Sequence, residues 1–185
     1  MSEKKSFLDG KKILAVDDEQ DVLETIVDAL ETAHVDKASN FKTASEKIEE
    51  NRYDLAILDI MGVDGLTLLE QTVDKGIPTV MLTAHAMNVE TLMTSIKKGA
   101  ISFLPKEKLA DLDIILEDML KAIHDGEPTW KILFDELEGF FNEKFGPGWK
   151  EKDKDFWLDF QKRSYVSKGM QSRFMHDQKV LSRGI

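Results

Sequence analysis

The sequence predicts an α/β fold: a five-stranded, all-parallel sheet, doubly wound with helices on both faces, followed by a small α-helical unit. Three observations carry it. Short apolar runs recur at 13–16, 55–58, 79–82 and 101–104, with a weaker, more polar run at 34–38. Stretches with helical period separate them. Beyond residue 128 the character changes, and all three tryptophans (Trp130, Trp149 and Trp157) fall there.

The first run, "KILAV", leads into a helix whose apolar residues Val22, Leu23, Ile26, Val27 and Leu30 share one face. After "LAILD", Leu66, Leu69 and Val73 do the same. After "TVMLTA", Asn88 is a good N-cap for a helix carrying Val89, Leu92, Met93 and Ile96, and Gly99 stops it. A last amphipathic stretch, Leu109, Leu112, Leu116, Met119 and Ile123, ends at "DGEP". Right-handed crossovers leave few strand orders, and 2-1-3-4-5 is the commonest for five strands. It places the fifth strand at an edge, where Pro105, which lacks an N–H, is tolerated.

From 128 to 163, Pro128 suits a first helical turn, and Trp130, Leu133, Leu137, Phe141 and Phe145 follow at helical spacing until "GPG" at 146–148. A shorter helix near 152–163 is expected to pack back through Phe156, Trp157 and Phe160. Most of these aromatics read as the core of a two-helix unit, with a dimer or partner surface as the alternative for some. Residues 164–185 have no sustained period and are a candidate for disorder. In them Lys168, Arg173, Lys179 and Arg183 face only Asp177, so the rest of the chain is more acidic than the overall net charge of -10. Such a body repels phosphate backbones, which argues against nucleic acid as a partner. Absence of cysteine excludes disulfides and thiolate zinc sites. With no apolar signal core and no apolar stretch near the ~20 residues needed to span a bilayer, a soluble, cytoplasmic protein is expected.

Ligands of open parallel sheets bind outside the carboxyl ends of the strands. Asp17 and Asp18 follow the first strand there, Asp59 ends the third, Thr83 the fourth and Lys106 the fifth. Three close carboxylates repel unless a cation sits among them, and hard oxygen ligands with open water positions suit Mg2+. Asp59 then offers a carboxylate nucleophile to a phosphoryl group whose oxygens Thr83 and Lys106 can meet. Taken singly, each residue has a plain structural reading: the acid pair as a helix cap, Asp59 as a turn, Lys106 as a surface charge. Together the four strand ends favour the site. His34, His124 and His176 lack ligand spacing and read as surface residues.

The set "ILAVDDE", "LAILDIMGVDGLTLLE", "VMLTAHA" and "GAISFLPK" closely resembles the receiver domain of two-component response regulators, over residues 10–124. The resemblance implies the flavodoxin-like (βα)5 fold for that stretch; the helical extension at 128–163 and the basic tail at 164–185 lie beyond it. It also implies that Asp59 accepts a phosphoryl group from a phosphohistidine of a sensor histidine kinase or phosphotransfer protein. Asp18, Asp59 and the Met61 backbone carbonyl would hold Mg2+, with Asp17 acting through water. Thr83, the Ala84 backbone N–H and Lys106 would contact the phosphoryl group, and Phe103 would stand for the aromatic switch residue. The output would be a protein partner or self-dimer rather than nucleic acid or membrane. His85, two residues after Thr83, reads as a rim side chain rather than a catalyst. The chain departs from the family pattern in two places: Asp59 to Gly65 is six residues where eight are usual, with Gly62 and no proline between, and Glu107 follows Lys106 where a proline is usual. These departures motivate the alternative of a phosphorylation-independent scaffold. A phosphatase is disfavoured, because the second acid such enzymes need is replaced by Met61.

Overall fold

A computed structural model describes residues 5–84 and 88–164. Five strands, β1 (Lys12–Val16), β2 (His34–Ala38), β3 (Leu55–Asp59), β4 (Thr79–Thr83) and β5 (Ser102–Pro105), form one parallel sheet in the order β2-β1-β3-β4-β5. This is the expected topology. Every residue of β3 and β4 is buried, as suits central strands covered on both faces. The edge strand β2 is largely exposed or half-buried, which is why its sequence is the most polar of the five. Ile13, Leu14, Leu55, Ile57 and Leu58 are fully enclosed, each contributing about 1.5–3 kcal/mol relative to an exposed side chain. The fifth strand lies one residue later than the apolar run predicted. It includes Pro105, which aligns with Thr83 at the strand's last position.

The connecting helices are α1 (Gln20–Ala29), α2 (Phe41–Glu50), α3 (Gly65–Asp74), α4 (Val89–Lys98) and α5 (Leu112–Asp125). The predicted caps of α4 are in place. Asn88 Oδ1 accepts the Thr91 N–H at 2.8 Å, and Gly99 ends the helix at φ 102°, a left-handed conformation that favours glycine. Asn40 caps α2 in the same way through the Thr43 N–H. Before α5 the chain makes a 3-10 helix over Lys106–Asp111, so the apolar period that begins at Leu109 starts one turn ahead of the α-helix. Ser6 Oγ and the Phe7 and Leu8 N–H groups all donate to the carboxylate of Glu117, which ties the segment ahead of β1 to α5.

The described residues fall into two compact units that divide between Leu120 and Lys121. The second contains α6 (Thr129–Phe145), a 3-10 turn (Glu151–Asp153) and α7 (Lys154–Ser164). Pro128 stands at the N-cap of α6, one position before the first turn expected for it. Trp130, Leu137, Phe141, Trp149 and Trp157 are buried, so the aromatic run forms this unit's core. Trp149 and Trp157 meet edge-on with centroids 5.0 Å apart, and Phe134 meets Trp157 edge-on at 5.8 Å. Trp149 Nε1 donates to Asn142 Oδ1 at 3.1 Å. The tail from residue 165, with His176, lies outside the described residues, as does His85.

Candidate functional site at the strand ends

Asp59 is the last residue of β3, and its carboxylate is 4% exposed. Asp17 follows β1 directly; its N–H donates to the Ala38 carbonyl, extending the β1–β2 ladder by one bond. That bond fixes the Asp17 backbone at the sheet rim, where its side chain is completely buried. Asp17 Oδ1 accepts the Glu19 N–H at 2.9 Å, and the resulting turn presents Asp18 to solvent. Neither acid caps α1, whose N-cap is Glu19, so the helix-cap reading of the pair does not hold. Among the described residues, Asp17, Asp18 and Asp59 can bring carboxylate oxygens within 4.8 Å of one another.

The loop after β3 is shaped by two glycines. A Cβ on Gly62 would lie 2.0 Å from Asp18 Oδ1, and one on Gly65 would lie 1.9 Å from the Asp59 carbonyl oxygen. The short loop therefore passes so close to the acids that neither position admits a side chain as the structure stands. Gly62 also donates its N–H to Asp59 Oδ2 at 2.9 Å. Asp64 takes a left-handed φ of 52° to turn the chain into α3, and its Oδ1 accepts from Thr67 Oγ1. The Met61 side chain points outward, 79% exposed.

Lys106, immediately after β5, reaches back into the cluster. Its Nζ lies 2.8 Å from Asp17 Oδ2, 2.7 Å from Glu19 Oε1 and 3.3 Å from Asp59 Oδ1. Burial works against its charged form, but the Asp17 and Glu19 carboxylates outweigh that and hold its pKa above the usual lysine value. Burial also raises the pKa of Asp17, with a smaller push from the like charge of Asp59, while Lys106 and the Glu19 N–H offset part of the rise. Thr83 ends β4, nearly buried, with Oγ1 donating to the Ala84 carbonyl at 3.1 Å; Ala84 itself is exposed. Phe103 is fully enclosed in β5, aligned with Met81. His34 is exposed at the start of β2, and His124 is exposed beside Asp125. Glu107 neighbours Lys106 in the 3-10 helix.

Sequence reasoning passed over Glu19. Its signal was present as the third acid of "DDEQ", but helix-start acids are so common that type alone does not single it out.

A rim of acids, one hydroxyl and one ammonium, at the carboxyl ends of a 2-1-3-4-5 sheet, defines the receiver class of signalling domain. Residues 13–117 match the family model described as "Response regulator receiver domain", and the chain belongs to that family. It is 37% identical over 100 residues to the regulatory protein VanR of Enterococcus faecium, covering 51% of this chain and 43% of VanR. It is 34% identical over 103 residues to the two-component response regulator ARR18 of Arabidopsis thaliana, covering 52% of this chain and 16% of ARR18. Among solved structures, a CheY-like response regulator receiver domain protein from Methanospirillum hungatei JF-1 is 28% identical. It superposes with a TM-score of 0.55, covering 60% of this chain and 94% of that one. The chain spans less than two thirds of the length of these curated relatives. Among the described residues, no helix is long and apolar enough to cross a membrane.

Proposed function

We propose that Asp59 is a phosphoacceptor, and that its phosphorylation switches a protein-interaction or dimerisation surface. The observation that carries this is the placement of the Asp59 carboxylate, nearly buried, with two further acids on one side and the Lys106 ammonium at 3.3 Å. In the reaction an Asp59 carboxylate oxygen attacks phosphorus, an O–P bond forms, and the P–N bond of a phosphohistidine breaks. The electron pair leaves with the imidazole, which takes up a proton. The donor is a sensor kinase or a phosphotransfer protein.

The donor set fits Mg2+: three carboxylates, all hard oxygen, with Asp18 seated against a glycine that leaves room for it. Asp18, Asp59 and the Met61 carbonyl would hold the ion, with Asp17 acting through water. Bound there, Mg2+ supplies positive charge that offsets that of the phosphoryl oxygens. The chain's own groups do the rest. The Gly62 N–H fixes Asp59 Oδ2 and so orients the carboxylate. Lys106 is kept protonated and compensates the charge of the acyl phosphate. Thr83 Oγ1 and the Ala84 N–H, at the adjoining strand end, would receive phosphoryl oxygens, and Phe103, enclosed in β5, would be the aromatic that changes packing with the switch.

We assign residues 10–124 to the receiver and 128–163 to its output, which engages a downstream protein or a second copy in the cytoplasm. The acidic net charge of -10 supports a protein rather than a nucleic-acid target. The alternative, a scaffold that is not phosphorylated, is favoured by one observation: the Gly62 N–H already occupies Asp59 Oδ2. Incubation with acetyl phosphate and Mg2+, read by intact mass, separates the two. Wild type is expected to gain one phosphoryl group and Asp59→Asn none. Equal labelling of both refutes the acceptor, and labelling of neither favours the scaffold.

A further inference from the structure

Glu19 occupies the N-cap of α1, where a side chain ordinarily accepts one of the helix's first N–H groups, yet its carboxylate makes no capping bond. It turns to Lys106 instead, with Oε1 2.7 Å from Nζ. Its backbone is anchored beside the cluster by the bond from its N–H to Asp17 Oδ1. The ammonium is thus closer to Glu19 and to Asp17, at 2.7 and 2.8 Å, than to Asp59 at 3.3 Å. The two nearer acids differ in freedom. Asp17 is enclosed, whereas the Glu19 side chain is 61% exposed and can leave for solvent at little cost.

We propose that Glu19 is a positioning residue: it draws Lys106 away from Asp59 in the unphosphorylated protein and releases it when a phosphoryl group on Asp59 competes for the ammonium. This rests on the phosphoacceptor reading above. An acyl phosphate adds dianionic charge at Asp59, while an ammonium carries only three N–H donors. Asp17, Glu19, Asp59 and new phosphoryl oxygens exceed what Lys106 can satisfy. The exposed Glu19 is the partner that yields.

The test is the half-saturating concentration of beryllofluoride, a phosphoryl mimic, with Mg2+ present. Glu19→Gln is expected to lower it about twofold to fivefold, the range of one solvent-exposed ion pair. In a Lys106→Met background the same substitution is expected to have no effect, because the competition runs through the ammonium. An equal fold-change in both backgrounds overturns the proposal, since Glu19 would then act only as a repelling charge. No change in the wild-type background overturns it too. If wild type takes up no mimic at all, the phosphoacceptor reading fails. The Glu19 contact is then decided in Mg2+-free protein by the lysine-ammonium NMR resonance of Lys106. It is expected to shift on Glu19→Gln, and a resonance that stays in place refutes the ion pair as a positioning contact.

Discussion

Gly62→Ala tests the acidic pocket without touching any acid. The added Cβ would fall 2.0 Å from Asp18 Oδ1, 2.3 Å from its Cγ and 2.6 Å from its Oδ2, where ordinary contact begins at 3.4 Å. The difference between 3.4 and 2.0 requires the Asp18 carboxylate to retreat by about 1.4 Å. Metal–ligand distances tolerate only about 0.2 Å, so a retreat of that size removes Asp18 from the set proposed to hold Mg2+. Even loss of an outer partner of a metal ligand typically costs ~10–100-fold in affinity, so Mg2+ binding is expected to weaken at least tenfold. Stability should change little, within about 0.5 kcal/mol, because the exposed Asp18 side chain can swing into solvent. Gly62 is not among the glycines at positive φ, so the alanine brings no backbone strain. Calorimetric Mg2+ titration and thermal unfolding of the two proteins give both numbers. Unchanged Mg2+ affinity in a folded Gly62→Ala protein would refute Asp18 as a ligand. A large loss of stability would show that the loop gives way rather than the acid.

Two further outcomes follow from other parts of the molecule. Gly139 sits inside α6 with no heavy atom within 4 Å of an added Cβ, so Gly139→Ala should stabilise the second unit by about 0.5–1 kcal/mol in chemical unfolding; a loss would contradict the open space there. Burial, the hydrogen bond from its hydroxyl to Asp36 Oδ2 at 2.8 Å and that acid's charge raise the pKa of Tyr53 above the usual tyrosine value. The unfolded chain releases that proton near pH ~10 and the folded chain keeps it. The stability from this group is therefore fully present below pH ~10 and falls as pH rises further. With the chain's other tyrosine removed by Tyr165→Phe, ultraviolet titration should show Tyr53 ionising only above the ordinary range, and ionisation at the ordinary value would refute the buried pairing.

The topology was legible because the signals that set it are local and strong: the apolar runs of β1, β3 and β4, the Asn88 and Gly99 caps, and the strand-end positions of Asp59 and Thr83. The α2 helix was the weak point. Its sequence "FKTASEKIEE" does place Phe41, Ala44 and Ile48 at helical spacing, but with only Ala44 and Ile48 buried the stripe is narrow, set among polar residues and easily passed over. The start of α5 was blurred for a different reason: Leu109 is buried from a 3-10 turn and falls in phase with the helix that follows. At the rim, residue types identified the acids and Lys106. They gave no hint that Lys106 would lie nearer Asp17 and Glu19 than Asp59, because that choice depends on backbone anchors, the Asp17 and Gly62 hydrogen bonds, that no spacing encodes. Nor does the spacing of the shortened loop show how closely Gly62 approaches Asp18, because the backbone path sets that distance.

The edge-on pair of Trp149 and Trp157 makes the second unit an optical label for itself. Every tryptophan of the chain lies in that unit, and none in the sheet domain. Two indoles 5.0 Å apart at 78° couple their transitions, and that contribution to the dichroism is lost once either ring is released. Indole fluorescence and dichroism therefore follow the melting of α6 and α7 alone, while far-ultraviolet dichroism follows the whole chain. Denaturation curves from the two signals will coincide if the molecule unfolds as one cooperative body, and separate if it unfolds as two.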